Sequence, residues 1–153
     1  AKDVLEIYAA GISTGIATFE STVPHWETWD ESHLQKPRIV VVNDNDELMG
    51  WAALSPVSGR CVYGGVAEVS VYVSPQAQGK GIGTQLLTHL IEASEAEQLW
   101  TLQAGIFPEN TASISLHEAV GFRLVGRREK IGKMNGVWRD TLLFERRSKI
   151  TGQ

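Results

Sequence analysis

The apolar and polar positions divide the chain into four helical and six extended segments. Residues 1–11 and 23–36 carry apolar side chains at helical spacing, and Gly11 is a favourable residue for a helix end. Residues 37–57 contain two β-branched runs on either side of Asn43–Asp46, a turn signal typical of antiparallel strands. The first part of the chain therefore predicts two helices followed by a β-hairpin.

An alternating run at residues 66–73 predicts a half-buried strand. Its apolar side consists of Val69, Val71 and Val73, and its more polar side of Glu68, Ser70 and Tyr72. From Gly81 the apolar residues repeat at helical spacing, and residues 99–107 again predict a strand. Because a crossover helix joins parallel strands, the unit spanning 66–107 predicts parallel pairing.

The C-terminal part predicts a helix over residues 110–120, ended by Gly121, and a final hairpin over residues 122–147. Helices and strands are thus mixed along the whole chain, and one pair of strands is expected to be parallel. The pattern predicts a mixed α/β fold.

Length and composition narrow the functional classes. A chain of 153 residues is the usual size of one domain, so we expect residues 1–153 to form a single domain. A net charge of -4 and a pI near 5.6 predict no general attraction to nucleic acid or to anionic membranes. Cys61 is the only cysteine, which excludes an internal disulfide, and the sequence has no apolar run of membrane-spanning length. These features favour a cytoplasmic protein.

The turn between the strand at 66–73 and the following helix contains Gly79, Gly81 and Gly83. Its spacing fits neither a P-loop, in which Lys precedes Ser or Thr, nor a dinucleotide fingerprint, which requires a sixth-position glycine. Small residues at a helix start nevertheless leave N–H groups available to an anion, and Lys80 adds positive charge. The glycines alone are equally consistent with a flexible connection that binds nothing.

The residues around this turn resemble those of a known family. QGKGIG at 78–83 is similar to the Gln/Arg-x-x-Gly-x-Gly/Ala signature of the GCN5-related N-acetyltransferases (GNAT). AEVSVYVSPQAQGKGIGTQLL, AGIFPENTASISLHEAVGF and GKMNGVWRD resemble the phosphinothricin and methionine sulfoximine acetyltransferase branch in order and spacing, as does GIATFE near the start. The resemblance implies the GNAT fold, with a mixed central sheet of about six to seven strands and about four helices. The family begins with a short strand, which we expect to be missing from this chain because it starts inside the first helix.

The resemblance also implies an acetyl-CoA site, with acetyl-CoA as the acetyl donor. Backbone groups of Val71, Tyr72 and Val73 would bind the pantetheine arm, because the family's fourth and fifth strands splay apart and leave a strand edge unpaired. The pyrophosphate would lie against Gln78, Gly79, Lys80, Gly81, Ile82, Gly83 and Thr84. Asn110 would meet the cofactor where the next strand ends.

Two residues are the catalytic candidates. Glu68 occupies the glutamate position of the family pattern and could deprotonate an ammonium substrate directly or through water. His117 lies almost two helical turns after Asn110 and could act as an acid for the leaving thiolate or orient the cofactor. The plainer alternatives are an exposed strand glutamate and a packing histidine.

The sequence also offers candidates for substrate contacts and partners. An anionic group on the substrate would favour a basic or aromatic pocket, and the candidates are Phe19, Arg60, Lys133, Trp138 and Arg139. The histidines and Cys61 have no spacing that predicts a metal site, and direct acetyl transfer needs no cysteine nucleophile. The resembled branch commonly forms homodimers, so a homodimer is expected.

The predicted function is acetyl transfer from acetyl-CoA to the amine of a small amino-acid-like substrate by direct attack in a ternary complex. The resemblance implies phosphinothricin, methionine sulfoximine or methionine sulfone as substrates. One alternative is an acetyltransferase for a protein N-terminus or lysine, which needs an open groove. A second is a noncatalytic acyl-CoA sensor, against which the retention of both Glu68 and His117 argues.

Overall fold

Four α-helices and six β-strands make up the part of the chain that the computed structural model describes, residues 2–57 and 65–149. The helices are α1 (Lys2–Ser13), α2 (Trp26–Ser32), α3 (Ile82–Ala96) and α4 (Thr111–Ala119). The strands are β1 (Ile39–Val42), β2 (Leu48–Pro56), β3 (Val66–Val73), β4 (Thr101–Ile106), β5 (Arg123–Met134) and β6 (Val137–Arg147). The element order matches the one predicted from the hydrophobic pattern.

The strands form one sheet in the order β1-β2-β3-β4-β6-β5. Strands β3 and β4 are parallel, and every other neighbouring pair is antiparallel. This arrangement confirms the mixed α/β fold and the parallel strand–helix–strand unit. The hairpin between β5 and β6 turns at Asn135 and Gly136, which both have positive φ, as a tight two-residue turn requires.

Helices cover both faces of the sheet, and the alternating side chains of β2 pack into a core on each face. Ala52 and Leu54 point into one core with the apolar face of α3, whereas Trp51 and Ala53 point into a second core with α1 and α2. The alternation of buried residues along β2 therefore assigns one core to each face. On β3 the same alternation directs Val71 and Val73 towards the α3 side and Tyr72 towards the α1 side.

The first helix does not end at Gly11 as the sequence predicted. Helix α1 continues to Ser13, and the chain leaves it at Gly15, which has a φ of 73°. A Cβ on Gly11 would lie 3.3 Å from the Tyr72 ring, so this glycine permits close packing of α1 on β3. None of the helices within 2–57 and 65–149 combines the length and apolar composition needed to cross a membrane.

Candidate active site

Strands β3 and β4 are paired over only part of their length. Their shared register runs from Val66 opposite Thr101 to Glu68 opposite Gln103 and stops there. Beyond this point β3 stays paired with β2 as far as Val73, and β4 stays paired with β6 as far as Ile106. The two strands thus separate from each other while each keeps its outer neighbour, and a cleft opens between them.

The backbone of β3 presents hydrogen-bonding groups to this cleft. The Ser74 N–H donates to the Met49 carbonyl on the β2 side, and the Gly65 carbonyl accepts from Trp100 and Thr101 on the β4 side. Because backbone groups alternate along a strand and the β2–β3 register is continuous, odd-numbered residues face β4. Val71 and Val73 therefore direct their N–H and C=O groups into the cleft, whereas those of Tyr72 face β2.

The glycine turn leads from the end of β3 into α3. Gly79 and Gly81 have φ values of 82° and 76°, a left-handed conformation that favours glycine, and both are exposed. A Cβ at either position would have nothing within 4 Å, so the space outside the turn is open. Gly81 is the N-cap of α3, whose first N–H groups have no partner inside the helix. The turn is therefore suited to bind an anion at the positive end of the helix dipole.

The third glycine has a packing role. A Cβ on Gly83 would lie 3.1 Å from the Leu116 side chain of α4. This residue lets α3 approach α4, which follows β4 and carries Asn110 at its N-cap and His117 in its last turn. The glycine pattern thus serves both the open turn and the contact between two helices that flank the cleft.

A cleft of about 370 Å³ contains most of the residues on which catalysis would depend. Its walls come from β3, β4, α4, the loop after α1, and the β5–β6 hairpin. The lining residues with polar side chains are Thr18, Glu20, Glu68, Ser70, Tyr72, Asn110, Ser113, His117, Arg128 and Thr141. Six of the residues predicted from the sequence line this one cleft: Phe19, Glu68, Val71, Tyr72, Asn110 and His117.

Glu68 lies where the two strands part. Its side chain is exposed, and Gln103 Nε2 donates a 3.4 Å hydrogen bond to Glu68 Oε1 from the paired position on β4. The carboxylate is therefore held at the mouth of the splay while remaining open to water. A group in this position can accept a proton from an amine in the cleft, directly or through a water molecule.

Asn110 fixes the start of α4 and its distance from the loop after α1. Its Oδ1 accepts a hydrogen bond from the Ser113 N–H at 3.2 Å, and its Nδ2 lies 3.4 Å from the Ile16 carbonyl. The side chain thus acts as an N-cap that also contacts the GIATFE loop. Both side-chain ends of Asn110 have protein partners in this structure.

His117 is buried, with 4% of its surface exposed, and packs edge-on against Phe122. Its Nδ1 lies 2.8 Å from the Ser113 carbonyl, which accepts only if Nδ1 carries the proton. Burial lowers the pKa of His117 below its ordinary value, and the hydrogen bond to Ser113 opposes this shift only in part. The imidazole is therefore neutral near pH 7, with Nε2 unprotonated, so it accepts a hydrogen bond at Nε2 rather than donating one.

The loop after α1 closes one side of the cleft. Phe19 packs edge-on against Phe107 of the β4–α4 connection, with 4.8 Å between ring centroids, and a Cβ on Gly132 would lie 2.8 Å from the Phe19 ring. The Tyr72 side chain lies close to Thr18, and burial raises the Tyr72 pKa well above its usual range. Tyr72 is thus a neutral hydroxyl that contacts the loop.

Three of the proposed substrate residues lie elsewhere. Trp138 and Arg139 line a separate cleft of about 570 Å³, and Lys133 is exposed with its Nζ 5.8 Å from the centre of the Trp138 ring. Arg139 donates to the Gly15 carbonyl at 3.0 Å, pairs with Glu109 and stacks over Phe107 at 4.2 Å, so it has structural partners. Arg60 falls within 58–64, outside the described residues.

The sequence did not single out Glu20 and Arg128, although both line the cleft with Glu68. Arg128 could not be placed from strand alternation, because β5 changes register against β6 between Arg128 and Gly132. Glu20 belongs to the quoted GIATFE segment but has no periodic pattern that indicates its direction. Within the described residues, no group of three or more His, Cys, Asp or Glu side chains is arranged to hold a metal ion.

Comparison with known proteins defines the class. The family model described as Acetyltransferase (GNAT) family matches residues 8–122. The chain is 38% identical over 152 residues to a phosphinothricin N-acetyltransferase of Streptomyces coelicolor, covering 95% of this chain and 89% of that protein. It is 32% identical over 150 residues to an L-methionine sulfoximine/L-methionine sulfone acetyltransferase of Pseudomonas paraeruginosa, covering 93% and 86%.

Solved structures agree with this assignment. A phosphinothricin acetyltransferase from Sinorhizobium meliloti in complex with AcCoA superposes with a TM-score of 0.89 at 31% identity, covering 99% of this chain and 84% of that one. A ribosomal-protein-alanine N-acetyltransferase from Brucella melitensis gives a TM-score of 0.88 at 30% identity, covering 96% and 93%. The chain belongs to the acetyltransferase (GNAT) family and is an N-acetyltransferase. The resemblance inferred from the sequence motifs is confirmed.

The environment of His117 predicts its titration. We expect its imidazole to titrate below pH 6.5 and its neutral form to be the Nδ1–H tautomer. Below pH 6.5 the unfolded chain binds a proton at His117 more readily than the folded chain does. The free energy of unfolding therefore decreases as pH falls from 6.5 towards the folded-state pKa. Two-dimensional NMR of the imidazole nitrogens, assigned with His117→Gln, measures both properties. A pKa at or above 6.5, or an Nε2–H tautomer, would contradict this description.

Proposed function

We propose that the cleft transfers acetyl from acetyl-CoA to the primary amine of a small amino-acid-like acceptor, by direct attack in a ternary complex. The observation that carries the proposal is the combination, in one cleft, of the unpaired β3 edge and Glu68. Residues 1–153 would form a single catalytic domain. Phosphinothricin, methionine sulfoximine and methionine sulfone are the acceptors that the names of the relatives support.

Acetyl-CoA would bind along the strand edge and the glycine turn. Amide groups of its pantetheine arm can pair with the backbone groups of Val71 and Val73 as an added strand would. Tyr72, whose backbone faces β2, would contribute its side chain instead. The N–H groups at the start of α3 would bind the pyrophosphate, with Lys80 adding charge. The remaining turn residues proposed for this contact are Gln78, Gly79, Gly81, Ile82, Gly83 and Thr84.

The donor supplies a thioester whose carbonyl carbon the amine attacks. Glu68 would accept the proton that the ammonium must lose first, either directly or through water. The Val71 N–H faces the cleft and would stabilise the negative charge that develops on the carbonyl oxygen. The attacking nitrogen then loses its second proton to solvent, the C–S bond breaks, and the CoA thiolate, a stable leaving group, takes a proton from solvent.

His117 would orient groups rather than supply a proton. Its lowered pKa and Nδ1–H tautomer leave an unprotonated Nε2 near pH 7, which is suited to accept a hydrogen bond in the cleft. Asn110 would contribute mainly by setting the start of α4 and the position of the loop near Ile16. Both residues would therefore influence how substrates are held more than how the proton moves.

The size of the cleft favours a small acceptor. A volume of about 370 Å³ that must also hold the donor's reactive end leaves room for a molecule of amino-acid size. The Phe19 ring packs against Phe107 and closes one side of the cleft, which favours a small molecule over an extended chain. The likeness to the ribosomal-protein-alanine enzyme keeps a protein N-terminus as the second candidate acceptor. A noncatalytic acyl-CoA sensor is disfavoured by the placement of Glu68 at the strand divergence.

We further propose that the enzyme acts in the cytoplasm as a homodimer. The net charge of -4 and the absence of a spanning helix in 2–57 and 65–149 are compatible with this setting. Exposed apolar residues on the β5–β6 hairpin, among them Val137 and Trp138 at 61% and 56% exposure, are compatible with a subunit contact.

A steady-state screen tests the proposed reaction. With acetyl-CoA as donor, we expect turnover of L-phosphinothricin, L-methionine sulfoximine and L-methionine sulfone to exceed turnover of a peptide with an N-terminal alanine. The reason is that the cleft accommodates an amino acid more readily than a chain. Thiol release and mass spectrometry of the product measure the reaction. Greater acetylation of the peptide would favour the second candidate, and no acetylation of any amine would refute the enzymatic role.

Replacing the proposed base tests its role. Glu68→Gln keeps the size and the contact with Gln103 but cannot accept a proton, so we expect kcat/KM to fall about 100-fold or more and its pH profile to shift. Acetyl-CoA affinity, measured by calorimetry, should be unchanged. Glu92→Gln, on the exposed side of α3, serves as the matched control. Turnover that survives in Glu68→Gln at the control level would remove Glu68 from the mechanism.

A further inference from the structure

One arginine in the cleft has no partner. The exposed side chain of Arg128 lines the same space as Glu68 and Glu20, yet within residues 2–57 and 65–149 its guanidinium forms no ion pair or hydrogen bond. The other arginines in that part of the chain all have oxygen partners. They are Arg38 with Asp30, Arg123 with Glu145, Arg127 with Asp140, Arg139 with Glu109, Arg146 with Glu95, and Arg147 with the Trp100 carbonyl.

Arg128 lies directly before an irregularity in β5. Arg128 is opposite Thr141 and Gly132 is opposite Arg139, so three residues of β5 face the single residue Asp140 of β6. A bulge of this kind bends the strand and changes the direction of neighbouring side chains. Arg128, Ile131 and Thr141 all line the cleft, which means that both ends of the irregular segment contribute to its wall.

Asp140 holds this bulge in place. Its Oδ1 accepts a hydrogen bond from the Lys130 N–H at 2.8 Å, and its Oδ2 accepts from Arg127 Nε at 2.8 Å and lies 2.7 Å from Arg127 Nη2. Lys130 has a φ of 49°, a conformation that is uncommon for a residue with a side chain. The carboxylate therefore stabilises the backbone turn directly after Arg128 and pairs with Arg127, the residue directly before it.

We propose that Arg128 binds an anionic group of the acceptor and that Asp140 is the positioning residue that presents Arg128 to the cleft. This inference rests on the function proposed above. Arginine is always charged near neutral pH and offers two parallel N–H donors that match a carboxylate or phosphinate. Glu68 and Arg128 line the same cleft from two different strands, β3 and β5. The preferred acceptor is accordingly an amine that also carries an anionic group.

Three acceptors that differ in their anionic groups can show which group Arg128 binds. L-Phosphinothricin carries a phosphinate and a carboxylate, L-methionine sulfone carries only the carboxylate, and L-methionine sulfone amide carries neither. We expect Arg128→Gln to raise KM about 10- to 100-fold for an acceptor whose anion it binds, with a smaller change in kcat. For the amide, KM should be nearly the same in the variant and the wild type. Arg128→Lys, which keeps the charge but not the paired donors, should lie in between.

The matched control is Arg123→Gln. Arg123 lies on the same strand, is exposed and pairs with Glu145 away from the cleft. Asp140→Asn tests the positioning role, and it should raise KM for the same acceptors as Arg128→Gln while leaving the amide unaffected. A loss of activity that is equal for all three acceptors would indicate general damage to the fold and would overturn the positioning role.

Binding of the product N-acetyl-L-phosphinothricin provides a readout without turnover. It lacks a reactive amine but keeps both anionic groups, and calorimetric titration should give an affinity about 10- to 100-fold weaker for Arg128→Gln than for the wild type. Equal KM values and equal product affinities in the wild type and Arg128→Gln would overturn the inference while leaving the acetyltransferase function standing. A wild type that neither acetylates these amines nor binds the product would refute the proposed function and this inference with it.

Discussion

Strands β3 and β4 separate after the Glu68–Gln103 pair, and this separation opens the cleft that the catalytic candidates line. Parallel strands in the middle of a sheet normally pair along their length, because a buried backbone group without a hydrogen-bond partner is costly. Here β2 and β6 hold the two strands on their outer sides as far as Val73 and Ile106. The inner backbone groups of Val71 and Val73 are consequently available to a ligand, and a ligand with amide groups can complete the sheet.

The elements around the cleft stabilise one another. Arg139 of β6 bonds to the Gly15 carbonyl, pairs with Glu109 and stacks on Phe107, so the hairpin, the loop after α1 and the β4–α4 connection meet at one side chain. Asn110 adds a contact from α4 to Ile16. An exposed ion pair contributes little by itself, and the carbonyl and ring contacts of Arg139 are the stronger part of this junction. The walls of the cleft are thus set by long-range contacts around the sheet.

Much of this arrangement could be predicted from the sequence because it depends on local patterns. Alternation at 66–73 predicted β3 with the correct ends, and the glycine spacing predicted a turn of small residues that leads into the start of a helix. The family motifs predicted that Glu68, Asn110 and His117 would meet, and they line one cleft.

The features that the sequence missed depend on contacts between distant segments. Gly11 ended the predicted first helix on local grounds, but the Tyr72 ring explains why a small residue is needed inside it. Arg128 and Arg139 are both arginines of the C-terminal hairpin. The bond from Arg139 to the Gly15 carbonyl identifies Arg139 as a structural residue. Arg128 instead lies beside the bulge that Asp140 stabilises, and it lines the cleft. No spacing rule could have separated them.

Hydrogen exchange at single backbone amides reports whether the β3 edge binds the donor. When acetyl-CoA is added, we expect slower exchange for the Val71 and Val73 amides and for the first residues of α3. The Tyr72 amide, which faces β2, should change little and serves as the internal reference. Slower exchange at Tyr72 without any change at Val71 and Val73, or no change at all under saturating acetyl-CoA, would contradict the claim that the splayed strand edge binds the donor.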